Sequence, residues 1–215
     1  MKPLRPLSAV LGLLLVVTVV AAVPGARRAD GAPGDTSIFV VGDSVLLGAA
    51  PQIEEALAGY TVQIDAVESR SALESPAILA GRTDDVVVIS IGHNDGPAGF
   101  GSRIDEIMAG LGNVDHVIWL TQQEFRSDRP SMNAELRAAQ RRHATLEVLD
   151  WNAIVASTPN ANWADGLHLR PEGGDAMAAA VAAAVEDALV VSPPELLATG
   201  ATWSVAGVAA VTAAG

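Results

Sequence analysis

Ser44, Asn94, Asp165 and His168 are the residues of this chain whose types and settings can do chemistry together. A serine hydroxyl attacks a carbonyl carbon only when a base takes its proton during the attack. An imidazole is such a base, and an aspartate orients it and stabilises its charged form. General-base assistance of this kind contributes roughly 10²–10⁴ in rate. The tetrahedral intermediate needs hydrogen-bond donors aimed at its oxyanion, each worth about 3–4 kcal/mol. Ser44, in Gly42-Asp43-Ser44, is the candidate nucleophile. His168 is the candidate base and Asp165, three residues earlier in Asp165-Gly166-Leu167-His168, its orienting acid, a spacing that lets both project from one loop. Asn94, in Gly92-His93-Asn94-Asp95, offers a side-chain amide to an oxyanion, and the backbone N–H of Ser44 offers a second donor.

These residues need elements to position them. Apolar runs at 38–41, 61–66, 85–91, 114–120 and 146–149 read as strands. Helix-like segments lie between them at 51–58, 71–80, 102–111 and 131–143, and a closing helix spans about 172–190. Pro51 suits the first turn of its helix. Met177, Val181, Val185 and Leu189 recur every four residues and give the closing helix an apolar stripe. Five strands alternating with helices predict a parallel sheet covered on both faces, an α/β three-layer sandwich with the flavodoxin-like order 2-1-3-4-5. That order sets the loops after Val41 and Ile91 side by side at the carboxyl edge of the sheet, where such folds bind ligands. Ser44 and Asn94 fall in those two loops, and the Asp165–His168 loop ends on the same edge.

The three segments, in this order and at this spacing, resemble blocks I, III and V of the SGNH (GDSL-type) hydrolases, over a domain at 37–191. Residues 41–49, Val-Gly-Asp-Ser-Val-Leu-Leu-Gly-Ala, resemble in particular SGNH domains of exported bacterial proteins related to cell-wall O-acetyltransferases. The resemblance implies the same sandwich, a serine esterase working through an acyl-enzyme, and a small-molecule or polysaccharide ester as substrate, with acetyl esters of carbohydrate or cell-wall polymer foremost. An O-acyltransferase using the same acyl-enzyme and a catalytically silent wall-associated binding module are the alternatives. The family's block II ordinarily supplies a glycine whose N–H is a third oxyanion donor. This chain has Ala66-Val67-Glu68-Ser69-Arg70-Ser71 there, and Ser69 is the candidate for that position.

Other residues admit plainer roles. Asp43 is a turn-forming acid and Asp95 a loop cap. His93 either contacts substrate or faces solvent beside Asn94, and Trp163 either walls the acyl pocket or pins the loop that carries Asp165. His116 and His143 read as surface residues, and Arg126, Arg129, Arg137, Arg141 and Arg142 as the solvated face of one helix and its leading loop. His93, Asp95, Asp165 and His168 could be drawn together, but none of them has a ligand-pair spacing on a helix, so no metal is expected. Gly96, Gly99 and Gly101 make no phosphate-loop fingerprint, and no cofactor is implied.

Composition narrows the setting. The net charge is −12, and because residues 1–28 hold four bases and no acid, the remainder carries −16, which argues against nucleic acid as a partner. The absence of cysteine removes disulfides, thiolate metal sites and a cysteine nucleophile. Lys2 and Arg5 precede a long apolar run and then small residues, the order of a signal peptide or signal anchor over 1–26, so export is expected. A linker follows at 27–36. After Pro193-Pro194, the tail at 192–215 contains Leu-Leu-Ala-Thr-Gly at 196–200. This resembles the Leu-Pro-X-Thr-Gly signal cleaved by sortases, with Leu197 in place of proline and no basic cluster behind it. Membrane or cell-wall attachment through the termini and a flexible low-complexity tail are the two readings.

Overall fold

A computed structural model describes residues 33–190, and the expected signal segment, the start of the linker and the tail with its 196–200 motif lie outside the described residues. Five strands form one sheet: β1 (Ser37–Gly42), β2 (Thr61–Ala66), β3 (Val86–Ser90), β4 (His116–Leu120) and β5 (Leu146–Leu149). All pairings are parallel and the order is β2-β1-β3-β4-β5, as the alternation of elements predicts. The helices are α1 (Ser44–Leu47), α2 (Ala50–Ala56), α3 (Ser75–Leu79), α4 (Phe100–Gly110), α5 (Arg129–Gln140), α6 (Trp151–Ser157) and α7 (Pro171–Val190).

Side chains of successive strand residues point to opposite faces, so each interior strand feeds two cores. Ile38, Val40, Val86, Val88, Ile118 and Leu120 pack under α1, α2, α6 and α7, where Met177, Val181 and Val185 of the closing stripe are fully buried. Phe39, Val41, Val87, Ile89, Val117 and Trp119 pack on the other face under α3, α4 and α5. Burial on both faces is why β1 and β3 read as unbroken apolar runs. Each such Val, Ile or Leu contributes about 1.5–3 kcal/mol on leaving water.

Several boundaries differ from expectation. Pro33–Asp35 form a 3-10 turn, Thr36 is buried, and its carbonyl accepts the Thr61 N–H, so the last linker residues belong to the domain. The helix expected over 71–80 begins only at Ser75, because Asp95 holds the hydroxyl of Ser71 (2.5 Å) and the N–H of Ala72 (2.8 Å) in turns. Two short helices were not expected. Helix α1 starts at Ser44 itself, capped by the Asp43 side chain, and α6 is capped by Asp150, whose carboxylate accepts the Ala153 N–H.

Candidate active site

Strand β1 ends at Gly42, and Asp43 then makes the turn into α1. The Asp43 carboxylate is fully buried and accepts the Val45 N–H at 3.0 Å, the N-cap bond of α1. Ser44 is thus the first helical residue, where an N–H has no carbonyl of its own helix to bond. Its side chain stands at the carboxyl edge of the sheet, half-buried.

The loop before α7 brings up the other two groups. Asp165 accepts from the backbone N–H groups of Leu167 (2.9 Å) and His168 (3.0 Å) through one oxygen, and its second oxygen lies 2.8 Å from His168 Nδ1. Gly166 supplies the left-handed turn, φ 70°, that folds the acid back on these donors. The Leu167 amide, then the His168 imidazole and amide, lower the Asp165 carboxyl to about 2. An ionised carboxylate only accepts, so the His168 proton sits on Nδ1 and Nε2 is left to accept. Nε2 lies 3.1 Å from Ser44 Oγ. Ser44, His168 and Asp165 are therefore brought into one hydrogen-bonded line.

Asn94 follows β3 in the neighbouring loop, where its Nδ2 donates to the Arg70 carbonyl at 3.1 Å and keeps a second N–H in hand. Ser44, Ser69, Asn94, Trp163, Leu167 and His168 line one cleft of about 600 Å³. Ser69 has φ 60°, a left-handed conformation in a residue with a side chain. This is the backbone shape that glycine adopts most readily. Arg70 anchors that loop: buried, it donates to the Asp65 carbonyl (2.5 Å), the Asp65 carboxylate (2.7 Å) and the Gly42 carbonyl (3.3 Å) at the end of β1. Trp163 is 52% exposed at the cleft, with the Arg170 guanidinium 4.8 Å from its ring.

Two expectations need correction. His93 neither reaches the cleft nor faces solvent. It is only 4% exposed, its Nδ1 lies 3.0 Å from the Asp43 carboxylate, and its Nε2 is 3.3 Å from the Gln123 N–H. After the turn at Gly92, φ 133°, His93 is buried and Asn94 is exposed. Arg129 is not part of a solvated helix face either. It is fully buried and donates to the carbonyls of Gly92 (3.1 Å), His93 (3.1 Å) and Asp95 (2.9 Å), on both sides of Asn94, and to Gln122 Oε1 (2.8 Å). Proline in the first turn of α5 was the available hint that Arg129 opens a helix, but nothing local told that it points inward. His143 pairs with Asp105 at 2.7 Å, away from the cleft.

No family model matches the chain, and no curated protein matches it. Among solved structures, the C-terminal catalytic domain of peptidoglycan O-acetyltransferase A from Streptococcus pneumoniae is similar at TM-score 0.61 and 24% identity, over 74% of this chain and 96% of that one. A family 3 carbohydrate esterase from Clostridium thermocellum is similar at TM-score 0.57 and 16% identity, over 74% of this chain and 100% of that one. A member of the lipolytic G-D-S-L family from Veillonella parvula is similar at TM-score 0.55 and 15% identity, over 70% and 97% respectively. The chain has the fold of the G-D-S-L (SGNH) hydrolases.

Proposed function

We propose that this chain is an exported SGNH-type serine esterase that hydrolyses small esters, acetyl esters of carbohydrate or cell-wall polymer foremost, through an acyl-enzyme on Ser44. The observation that carries the reading is the line from Asp165 through His168 to Ser44 Oγ, with contacts of 2.8 and 3.1 Å, opening into a cleft that Asn94 also lines.

The steps follow from that geometry. Ser44 Oγ attacks the ester carbonyl carbon while its proton passes to His168 Nε2. The oxyanion so formed is held by the N–H groups of Ser44 and Ser69 and by Asn94 Nδ2. As the intermediate collapses, the C–O bond to the alcohol breaks and His168 returns the proton to the departing oxygen. Water then attacks the acyl-enzyme with His168 again as base, releasing the carboxylate and restoring Ser44. Asp165 stays ionised throughout and stabilises the imidazolium. The indole of Trp163 offers a face against which a sugar ring can stack.

The His168 side chain is 47% exposed, so water has ready access to an acyl-enzyme, which favours hydrolysis. The likeness to an O-acetyltransferase domain keeps transfer to a sugar hydroxyl as the second reading. Export and attachment at the envelope rest on the order of residues in 1–26 and 196–200. The test is release of p-nitrophenol from p-nitrophenyl acetate by the full chain beside Ser44→Ala. Hydrolysis by the wild type and its loss in the variant are expected; equal rates in both would sink the proposal.

A further inference from the structure

We infer that Gln123, in the loop between β4 and α5, is a positioning residue that ties the base-bearing loop to the turn carrying Ser44 through a continuous run of hydrogen bonds. The inference rests on the proposed reaction only for the catalytic consequence of that tie.

The run starts at Asp43. One carboxylate oxygen caps α1 through the Val45 N–H, and the other lies 3.0 Å from His93 Nδ1. His93 Nε2 is 3.3 Å from the backbone nitrogen of Gln123. An amide N–H can only donate, so Nε2 accepts and the His93 proton sits on Nδ1, directed at Asp43. The Gln123 side chain continues outward: its Nε2 donates to Asn162 Oδ1 (3.0 Å) and to the Gly166 carbonyl (2.5 Å), and its Oε1 accepts from Asn162 Nδ2 (3.2 Å). Asn162 Nδ2 also donates to the Leu167 carbonyl at 2.9 Å. The Gln123–Asn162 pair therefore grips both carbonyls of the dipeptide between Asp165 and His168.

That grip supplies what the loop cannot supply for itself. The bonds of Asp165 to Leu167 and His168, of Trp163 N–H to the His168 carbonyl, of Gly166 N–H to the Trp163 carbonyl and of Arg170 N–H to the Ala161 carbonyl all close within 161–170. They fix acid against base, and buried Ala161 and Leu169 anchor the two ends of the loop in the core beside α1, but none of these bonds ties the stretch between those ends to the rest of the fold. Nor does packing fill the space: Gln123, Asn162 and Gly166 line a hollow of about 210 Å³ beside the loop. Gln123 is itself held firmly. Buried Asn133 bonds both backbone groups of Gln122 (2.7 and 2.8 Å), and Asn152 Oδ1 accepts the Glu124 N–H at 2.9 Å. A residue clamped on both sides can pass position from Asp43 to Gly166.

The test uses the full chain and two variants. Gln123→Ala removes the arm; Gln123→Glu keeps its shape but sets a carboxylate oxygen against the Gly166 carbonyl and Asn162 Oδ1. Hydrogen–deuterium exchange is read by peptide, and p-nitrophenyl acetate turnover is measured alongside. The expected result is several-fold faster exchange across 162–170 with β1 and β3 unchanged. Turnover falls too: a displacement near 1 Å costs roughly 10²-fold, so kcat is expected to drop by about 10–100-fold with KM held within about twofold. If exchange across 162–170 is unchanged in both variants, the tie is overturned. It is also overturned if kcat of an active enzyme stays at the wild-type value, or falls only in proportion to lost folded protein. If the wild type itself is inert toward esters, the proposed function fails, while exchange still decides the tie.

Discussion

His168 Nε2 lies 3.1 Å from Ser44 Oγ, although 124 positions of sequence separate the two residues. The contact has the right direction for proton transfer because Asp165 holds the imidazole proton on Nδ1. Asp165→Asn retains the shape but presents an amide that can donate to Nδ1, favouring the wrong tautomer. We expect kcat to fall by roughly 10³–10⁴-fold with little change in KM, measured on p-nitrophenyl acetate. A loss below tenfold would show that Asp165 does not set the tautomer.

The pH behaviour of Asp165 follows from its donors. Its folded-state value, about 2, lies below the ordinary 3.8. A depressed carboxylate adds stability that is fully present above its unfolded value and is lost as pH falls through its folded value. The Asp165 contribution is therefore expected to persist from neutral pH to near pH 4 and to disappear toward pH 2. A carboxyl ¹³C titration should give a midpoint near 2, and the acid limb of kcat/KM should carry no Asp165 ionisation. A midpoint at or above 3.8 would contradict the hydrogen bonds described.

Ser69 holds a left-handed backbone that costs a residue with a side chain about 1–2 kcal/mol. Ser69→Gly is expected to raise stability by about 1 kcal/mol in denaturant melts while keeping turnover. Ser69→Pro, whose ring forbids positive φ, is expected to displace the loop and lower kcat. Equal activity in Ser69→Pro and wild type would remove the Ser69 N–H from the oxyanion site.

Arg129 donates to carbonyls on both sides of Asn94, so its planar fork matters as well as its charge. Arg129→Lys keeps the charge and loses the fork, leaving buried carbonyls unpaired at about 1–3 kcal/mol each. A lowered Tm together with a lowered kcat is expected, checked by thermal melts and turnover at a temperature where the variant is folded. Wild-type kcat in the folded variant would mean that the Asn94 loop holds its shape without the clamp.

Much of this arrangement is legible in the chain because it is local. The buried runs of β1 and β3 show both their length and their burial, and the parallel order follows from alternation with helices. The Asp165-Gly166-Leu167-His168 turn carries its own geometry, since acid, glycine and base bond within four residues. The burial of His93 and Arg129 is illegible for the opposite reason. Their partners, Asp43 and Gln123 for one and the 92–95 carbonyls for the other, are tens of residues away, and a polar residue beside a loop gives no sign that it points inward. Helix α6 carries little signal of its own, because its seven residues offer one turn of apolar repeat, Trp151, Ile154 and Val155, and one cap at Asp150.

Covalent labelling of the full chain with a fluorophosphonate, read by peptide mass spectrometry, tests directly whether Ser44 is the nucleophile. One phosphonyl adduct on Ser44 is expected, absent in Ser44→Ala and strongly slowed in His168→Ala. No adduct on the wild type, or an adduct on a serine other than Ser44, would contradict that role.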